Sequence, residues 1–218
     1  MASKQYDDPY RHNCLVPYVD PNEAPEAIAS RLRVHDFRRN IFLVLAHSPG
    51  LFPNVMGLIG GCFRGEIRTI PLLDWQLIVL RVATKVGAKY MYDVNLPVCE
   101  LYEMDPAKIE AIGCSSEDVV NGEGPYTKRD RLILRIVDEQ LATFTNTNET
   151  IEEALTVLSN AELVEVLIII GAYCMLARIL RGLKVDDDQP IRPANLMDAL
   201  RASVTPDQKH SRFKGAFP

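Results

Sequence analysis

Eighteen residues, LVEVLIIIGAYCMLARIL (163–180), carry only two charges, Glu165 and Arg178. A run this apolar satisfies its backbone as a helix and must then cover its sides with other apolar surface. The two charges interrupt it, so it reads as a buried helix of an all-α protein and not as a membrane span. Its start is written just ahead of it. Ser159 and Glu162 stand three apart, as a hydroxyl and a carboxylate must to satisfy exposed backbone donors reciprocally. Gly182 supplies the stop.

The same punctuation recurs along the chain. Thr150 with Glu153 reads as a second capping box, and Thr127 followed by Asp130 opens a helix to about Phe144. In MDPAKIEAIG, Asp105 caps, Pro106 takes the first helical position and Gly113 ends the helix. Asp74 reads as the cap of a helix over 75–86. Residues 25–32 and 35–47 also read as helices, the second ended by the Ser48-Pro49-Gly50 turn. No alternating strand pattern of useful length appears. The chain divides into an N-terminal extension (1–24), an all-helical domain (25–185) and a C-terminal tail (186–218). In the tail, Asp186, Asp187 and Asp188 read as a solvated loop. A short helical piece over 194–203 follows, then a polar end with Lys209, His210, Arg212 and Lys214. The tail is expected to wrap a neighbour or lie loose.

Of the 218 residues 47% are hydrophobic, enough for one substantial core or two small packed units. A net charge of -5 gives no electrostatic case for a nucleic-acid partner. The clusters Arg38, Arg39 and Lys128, Arg129, Arg131 read as solvated helix faces. The N-terminus, MASKQYDDPYRHNC, lacks the apolar stretch of a secretory signal. Five widely spaced cysteines fit reduced thiols in the cytoplasm, and no two have metal-ligand spacing. No metal, cofactor or membrane partner is expected.

The stretch GAKYMYDVNLPVCE (87–100) raises the question of a site. Ala88, Met91, Asn95 and Tyr102 share one helical face, with Tyr92 and Cys99 beside it. Lys89 and Asp93 fall on another face, where an ion pair is expected. Tyr90 and Tyr92 carry phenols suited to donating to a carbonyl or enolate oxygen, or to amphipathic packing. Cys99 reads as a small buried hydrophobe. QLIVLRVATKVGAKYM (76–91) and LVEVLIIIGAYCML (163–176) echo each other, either as a duplicated helical unit or as two similar buried helices.

The segments LLDWQLIVLRVATKVGAKYMYDVNLPVCE, YTKRDRLILRIVDEQ and GAYCMLARILRGL, in that order, resemble the carboxymuconolactone decarboxylase and alkylhydroperoxidase D (AhpD-like) superfamily. The resemblance covers residues 40–185. It implies an AhpD-like helical fold and a homo-oligomer (dimer, trimer or hexamer). In the peroxidase branch's register, Gln76 stands where a glutamate is kept, Ala88 and Met91 stand at the two cysteines, and Asn95 stands at the histidine. A thiol peroxidase needs an attacking thiolate and a resolving thiol, so that activity is not expected. The decarboxylase branch keeps the glutamate and histidine, here both amides, which bond but do not titrate near neutral pH.

Two functions follow from the resemblance. One is a cofactor-free enzyme acting on a carbonyl or carboxylate compound by decarboxylation, isomerisation or cyclisation, with Tyr90 and Tyr92 as catalytic groups. The other is a non-catalytic small-molecule binding or assembly protein. In both, Gln76, Asn95, Met91, Tyr173, Arg178 and His47 are the candidate substrate-binding residues. Two of these have competing roles: Arg178 could pair with Asp138 or Glu139, and His47 could face its helix C-terminus.

Overall fold

The computed structural model describes residues 8–33, 37–122, 124–190 and 193–207, with no side-chain detail at 193 and 194. The polar end from Lys209 to Lys214 lies outside them. Eleven α-helices and no strand appear among the described residues. They are α1 (Glu26–Leu32), α2 (Asn40–Leu45), α3 (Phe52–Phe63), α4 (Leu72–Lys85), α5 (Lys89–Leu101), α6 (Pro106–Glu110), α7 (Ser116–Asn121), α8 (Lys128–Thr143), α9 (Asn148–Ala154), α10 (Asn160–Gly182) and α11 (Pro193–Ser203).

Helix α4 is the centre, packed against α5, α8 and α10. Its sequence LLDWQLIVLRVATK leaves almost no polar face, and Leu72 and the run from Asp74 to Ala83 are buried. The buried cation of this helix is matched. Arg81, fully buried, forks onto Asp138 of α8 through Nε (2.8 Å) and Nη2 (2.6 Å), and its Nη1 donates to the Ile112 and Cys114 carbonyls. A buried guanidinium is tolerated only when its donors are taken up in this way.

The local signals hold where cap and first turn are contiguous. Ser159/Glu162 and Thr127/Asp130 are reciprocal capping boxes, and Asp105 accepts from Ala107 N. Two caps differ. Helix α4 begins at Leu72, so Asp74 lies in its first turn and accepts from Arg129 Nε at 2.7 Å. Thr147, not Thr150, caps α9; Thr150 is buried and donates to Glu139 Oε1 at 2.5 Å. The helix expected over 35–47 is shorter, Asn40–Leu45, and α3 and α7 add to the expected set. The two Gly-Ala pairs of the internal echo differ in setting. Gly87 is left-handed (φ 65) and breaks the chain between α4 and α5, whereas Gly171 lies within α10.

The tail is neither loose nor reserved for a neighbour, because its described part docks on its own chain. Asp186 is buried and accepts from the backbone N–H of His12 (3.1 Å), Asn13 (2.7 Å) and Cys14 (3.3 Å), and from the Tyr18 hydroxyl (3.0 Å). His12 is thus held by its backbone, not in a flexible end. Asp188 takes Arg39 (2.8 Å) and the Asn40 N–H (2.8 Å). The expected solvated loop is therefore a junction. Arg38 pairs with Asp8, and Arg129 bridges Asp74 and Glu162, so these arginines are structural and not solvated faces. Helix α11 drops Leu200 into the main core, and Val204, just past its end, follows. Beyond it, Asp207 accepts the Leu72 N–H (3.0 Å) and Arg68 Nη2 (3.0 Å), capping α4 from the far end of the chain. A Cβ at Gly65 would collide with the Pro206 carbonyl, so the tail crosses there only because that residue is glycine.

Candidate functional site

Tyr90, Met91 and Asn95 lie on one side of α5, and Tyr173 reaches the same space from α10. Between them is a cavity of about 90 Å³, walled by Ile41 and Phe42 of α2 and by Ile59 and Phe63 of α3. Ala199, Leu200 and Ser203 of α11 close it. The lining is apolar apart from Arg39, Tyr90, Asn95, Tyr173 and Ser203. No histidine, carboxylate or cysteine lines it among the described residues.

Each polar group is already oriented. The Tyr90 hydroxyl donates to Asp188 Oδ1 at 2.7 Å and accepts from the Ile41 N–H at 3.4 Å. Burial, then the adjacent Asp188 charge, holds the Tyr90 phenol well above its ordinary range. Arg39 is balanced by Asp188. Asn95 Nδ2 donates to the Met91 carbonyl one turn back (2.8 Å), which fixes the amide with its oxygen as the acceptor. Tyr173 accepts from Trp75 Nε1 at 3.2 Å, so its own proton must point elsewhere, and it remains available to a ligand oxygen. Complete burial raises its phenol far above the ordinary value and keeps that proton in place. On the outer side of Tyr90 a second void of about 190 Å³ is lined by Arg39, Asp93, Asp187 and Asp188. Tyr90 and its tether to Asp188 form the wall between the two.

Four of the expected residues therefore come together, and four do not. Gln76 is completely buried between α4 and α5; its Oε1 accepts from Cys99 Sγ at 3.7 Å, and its Nε2 has no partner among the described residues. It does not line the cavity. Tyr92, about 200° around α5 from Tyr90, is half-buried against the clusters holding Leu80 and Cys99, outside the cavity. Arg178 is exposed, its guanidinium 6.0 Å from the Phe144 ring, because Asp138 is taken by Arg81 and Glu139 by Arg135 and Thr150. His47 is exposed, its Nε2 donating to the Pro17 carbonyl at 2.6 Å. Lys89 and Asp93 form the expected exposed ion pair. Burial pushes the Cys99 thiol up to about 12 and the Cys62 thiol up to about 11, leaving neither as a thiolate near neutral pH.

The sequence reading missed Arg39, Asp188, the α3 wall and the α11 cover. For α3 a signal exists: Pro53 in the first turn, then Val55, Ile59 and Cys62 at helical spacing.

No family model and no curated protein matches the sequence. Solved structures do match. An uncharacterised peroxidase-related protein from Ralstonia eutropha JMP134, described as an alkylhydroperoxidase AhpD core, superposes with a TM-score of 0.68 at 15% identity, over 86% of this chain and 96% of that one. A protein of unknown function from Agrobacterium tumefaciens, described as a putative antioxidant defence protein AhpD, gives 0.57 at 21% identity, over 67% and 95%. The chain has the AhpD-like helical fold.

Proposed function

We propose that this chain is a cytoplasmic small-molecule-binding protein whose cavity beneath α11 takes a neutral, largely apolar compound bearing a carbonyl. The observation that carries this reading is the polar inventory of the cavity. Among the described residues it offers a hydroxyl donor (Tyr173) and an amide acceptor (Asn95), no cation without a partner, and no histidine, carboxylate or cysteine. General acid–base catalysis needs a group poised near the working pH. Both phenols facing the cavity are shifted the other way. The volume sets the scale. About 90 Å³ is smaller than the ~150 Å³ cavity that holds benzene, so a larger guest requires α11 to move.

One observation favours a second reading, a cofactor-free enzyme of decarboxylation, isomerisation or cyclisation. The Trp75→Tyr173 relay presents a fixed donor in a dry site, the arrangement that stabilises developing negative charge on oxygen. Incubation with lactones, β-keto acids and quinone-like compounds, followed by mass spectrometry of bound and free fractions, separates the two. Bound compound recovered intact supports the binding reading, and conversion supports the enzyme. Absence of any retention by the native protein, with equal absence by Tyr173→Phe, removes both.

A further inference from the structure

Helix α10 turns two faces toward two different voids. Tyr173, Leu176 and Leu180 line the cavity beneath α11. Ile170, Cys174, Ala177, Arg178 and Arg181, at three- and four-residue spacing, line a groove of about 440 Å³ against α8. The two linings share no residue, so the groove is not part of the site already described. Its volume lies within the ~300–1,000 Å³ of small-molecule sites.

The groove has a direction. From Leu167 to Ala177 helix α10 gives it only apolar and small residues, faced by Leu141 of α8. Both charges stand at the other end, Arg178 lying about 16 Å along the helix from Leu167. Arg178 is exposed, with its guanidinium 6.0 Å from the Phe144 ring and no hydrogen bond or ion pair among the described residues. Arg181 gives one donor to the Val86 carbonyl and leaves the rest of its fork open. No Asp or Glu lines the groove among the described residues. Asp138 and Glu139, the nearest acids in α8, are committed to Arg81 and Arg135. Burial pushes the Cys174 thiol up against the pull of the Arg178 charge, so it supplies no anion either. A helix C-terminus favours cations, which accounts for basic residues at 178 and 181 but not for the apolar trough they border.

Two further features fall on the same groove. Phe144, which ends α8, is held in the left-handed region (φ 60) and is 73% exposed. A bulky residue seldom adopts that conformation, and a guest in the groove would cover its ring. On α10, a Cβ added to Gly171 meets nothing within 4 Å. The groove is open there because a side chain is missing from mid-helix, where glycine is a poor helix former.

We propose that this groove binds a free fatty acid. The alkyl chain lies along Leu167, Ile170 and Cys174, and the carboxylate is taken by Arg178 and Arg181, whose forks match it in shape. Walls on both sides, α8 and α10, suit one chain better than the flat face of a membrane.

The test is calorimetric titration of the full chain with dodecanoate below its micelle concentration, beside decanoate, octanoate and dodecanol. Saturable binding is expected, tightening about fourfold for each methylene added. Gly171→Gln folds, since glutamine has room and a higher helix propensity, and its side chain fills the groove; a loss of dodecanoate affinity of about tenfold or more is expected. Arg178→Gln, at an exposed position, is expected to weaken dodecanoate about three- to tenfold and to leave dodecanol unchanged. Retention of carbonyl guests by the α11 cavity is read separately and does not depend on either variant. The proposal is overturned by a native protein that does not bind dodecanoate, or that binds dodecanol equally well. It is also overturned if Gly171→Gln binds as the native chain does, or if only anionic vesicles are bound. A Gly171→Gln loss accompanied by a changed sedimentation mass assigns the groove to a protein partner and overturns it as well.

Discussion

Replacing Tyr173 by phenylalanine removes one oxygen and leaves the ring in place. Trp75 is completely buried and Tyr173 is 2% exposed, so water does not replace the lost acceptor. The indole N–H is left unpaired in an apolar core, which costs about 1–3 kcal/mol. For a chain of this size each kcal/mol lowers the melting temperature by about 2–4 °C. Circular dichroism melts at several protein concentrations give that shift without interference from assembly. Trp75 is the only tryptophan, so its emission reports directly on the same bond. The variant is expected to melt several degrees lower with altered emission, and to hold a carbonyl guest about tenfold or more weakly. An unchanged melt together with unchanged emission would show that the Trp75–Tyr173 bond does not orient the donor, and the binding argument would fail with it.

Arg81→Ala removes the guanidinium fork from buried Asp138 and leaves it only the longer contact to Lys85 at 3.8 Å; a loss of about 3–5 kcal/mol is expected in urea unfolding, and a loss below about 1 kcal/mol refutes the buried pairing. Asp186 is a pH-sensitive tether. Burial opposes its charge, but the hydrogen bonds from Asn13, His12, Tyr18 and Cys14 outweigh it and hold the carboxyl below its usual range. Its contribution is therefore complete above the unfolded carboxylate value of about 3.9 and fades as pH falls through the lower folded value. Hydrogen exchange at the 12–14 amides should accelerate over that acidic window, and Asp186→Asn should show the fast exchange already at neutral pH. Tyr92→Phe is expected to leave guest binding unchanged, measured by the same mass-spectrometric retention, because its ring faces away from the cavity; a large loss would relocate the site.

Helices were legible in the sequence wherever cap and first turn are neighbours. Ser159 sees Glu162 and Thr127 sees Asp130 within one turn, so no distant partner is needed to choose them. Thr147 and Thr150 both carry hydroxyls at the start of α9. Only the carboxylate of Glu139, on another helix, decides which one is drawn inward. Met91 and Asn95 were legible because they stand one turn apart on α5. Gln76 was placed by resemblance to a titrating position, but α4 turns it toward Cys99 and away from the cavity. The aspartates at 186–188 look solvent-bound in sequence because their donors come from residues 12–14, 18 and 39–40, and no local pattern encodes that pairing.

The cap that Asp207 places on α4 joins the first turn of the central helix to the last described residue. During synthesis α4 emerges early, with Pro71 ahead of it and no side-chain cap of its own. Its N–H at Leu72 finds its acceptor only after 135 further residues have been made. Helices α5 to α10 can collapse around α4 before then, but the end of that helix stays frayed and the floor near Phe63 stays uncovered. Completion of this fold is thus a late, non-local event, slow by the entropy of closing so long a loop. A ribosome that stops short of Asp207 releases a chain with most of its helices formed and its central one unfinished.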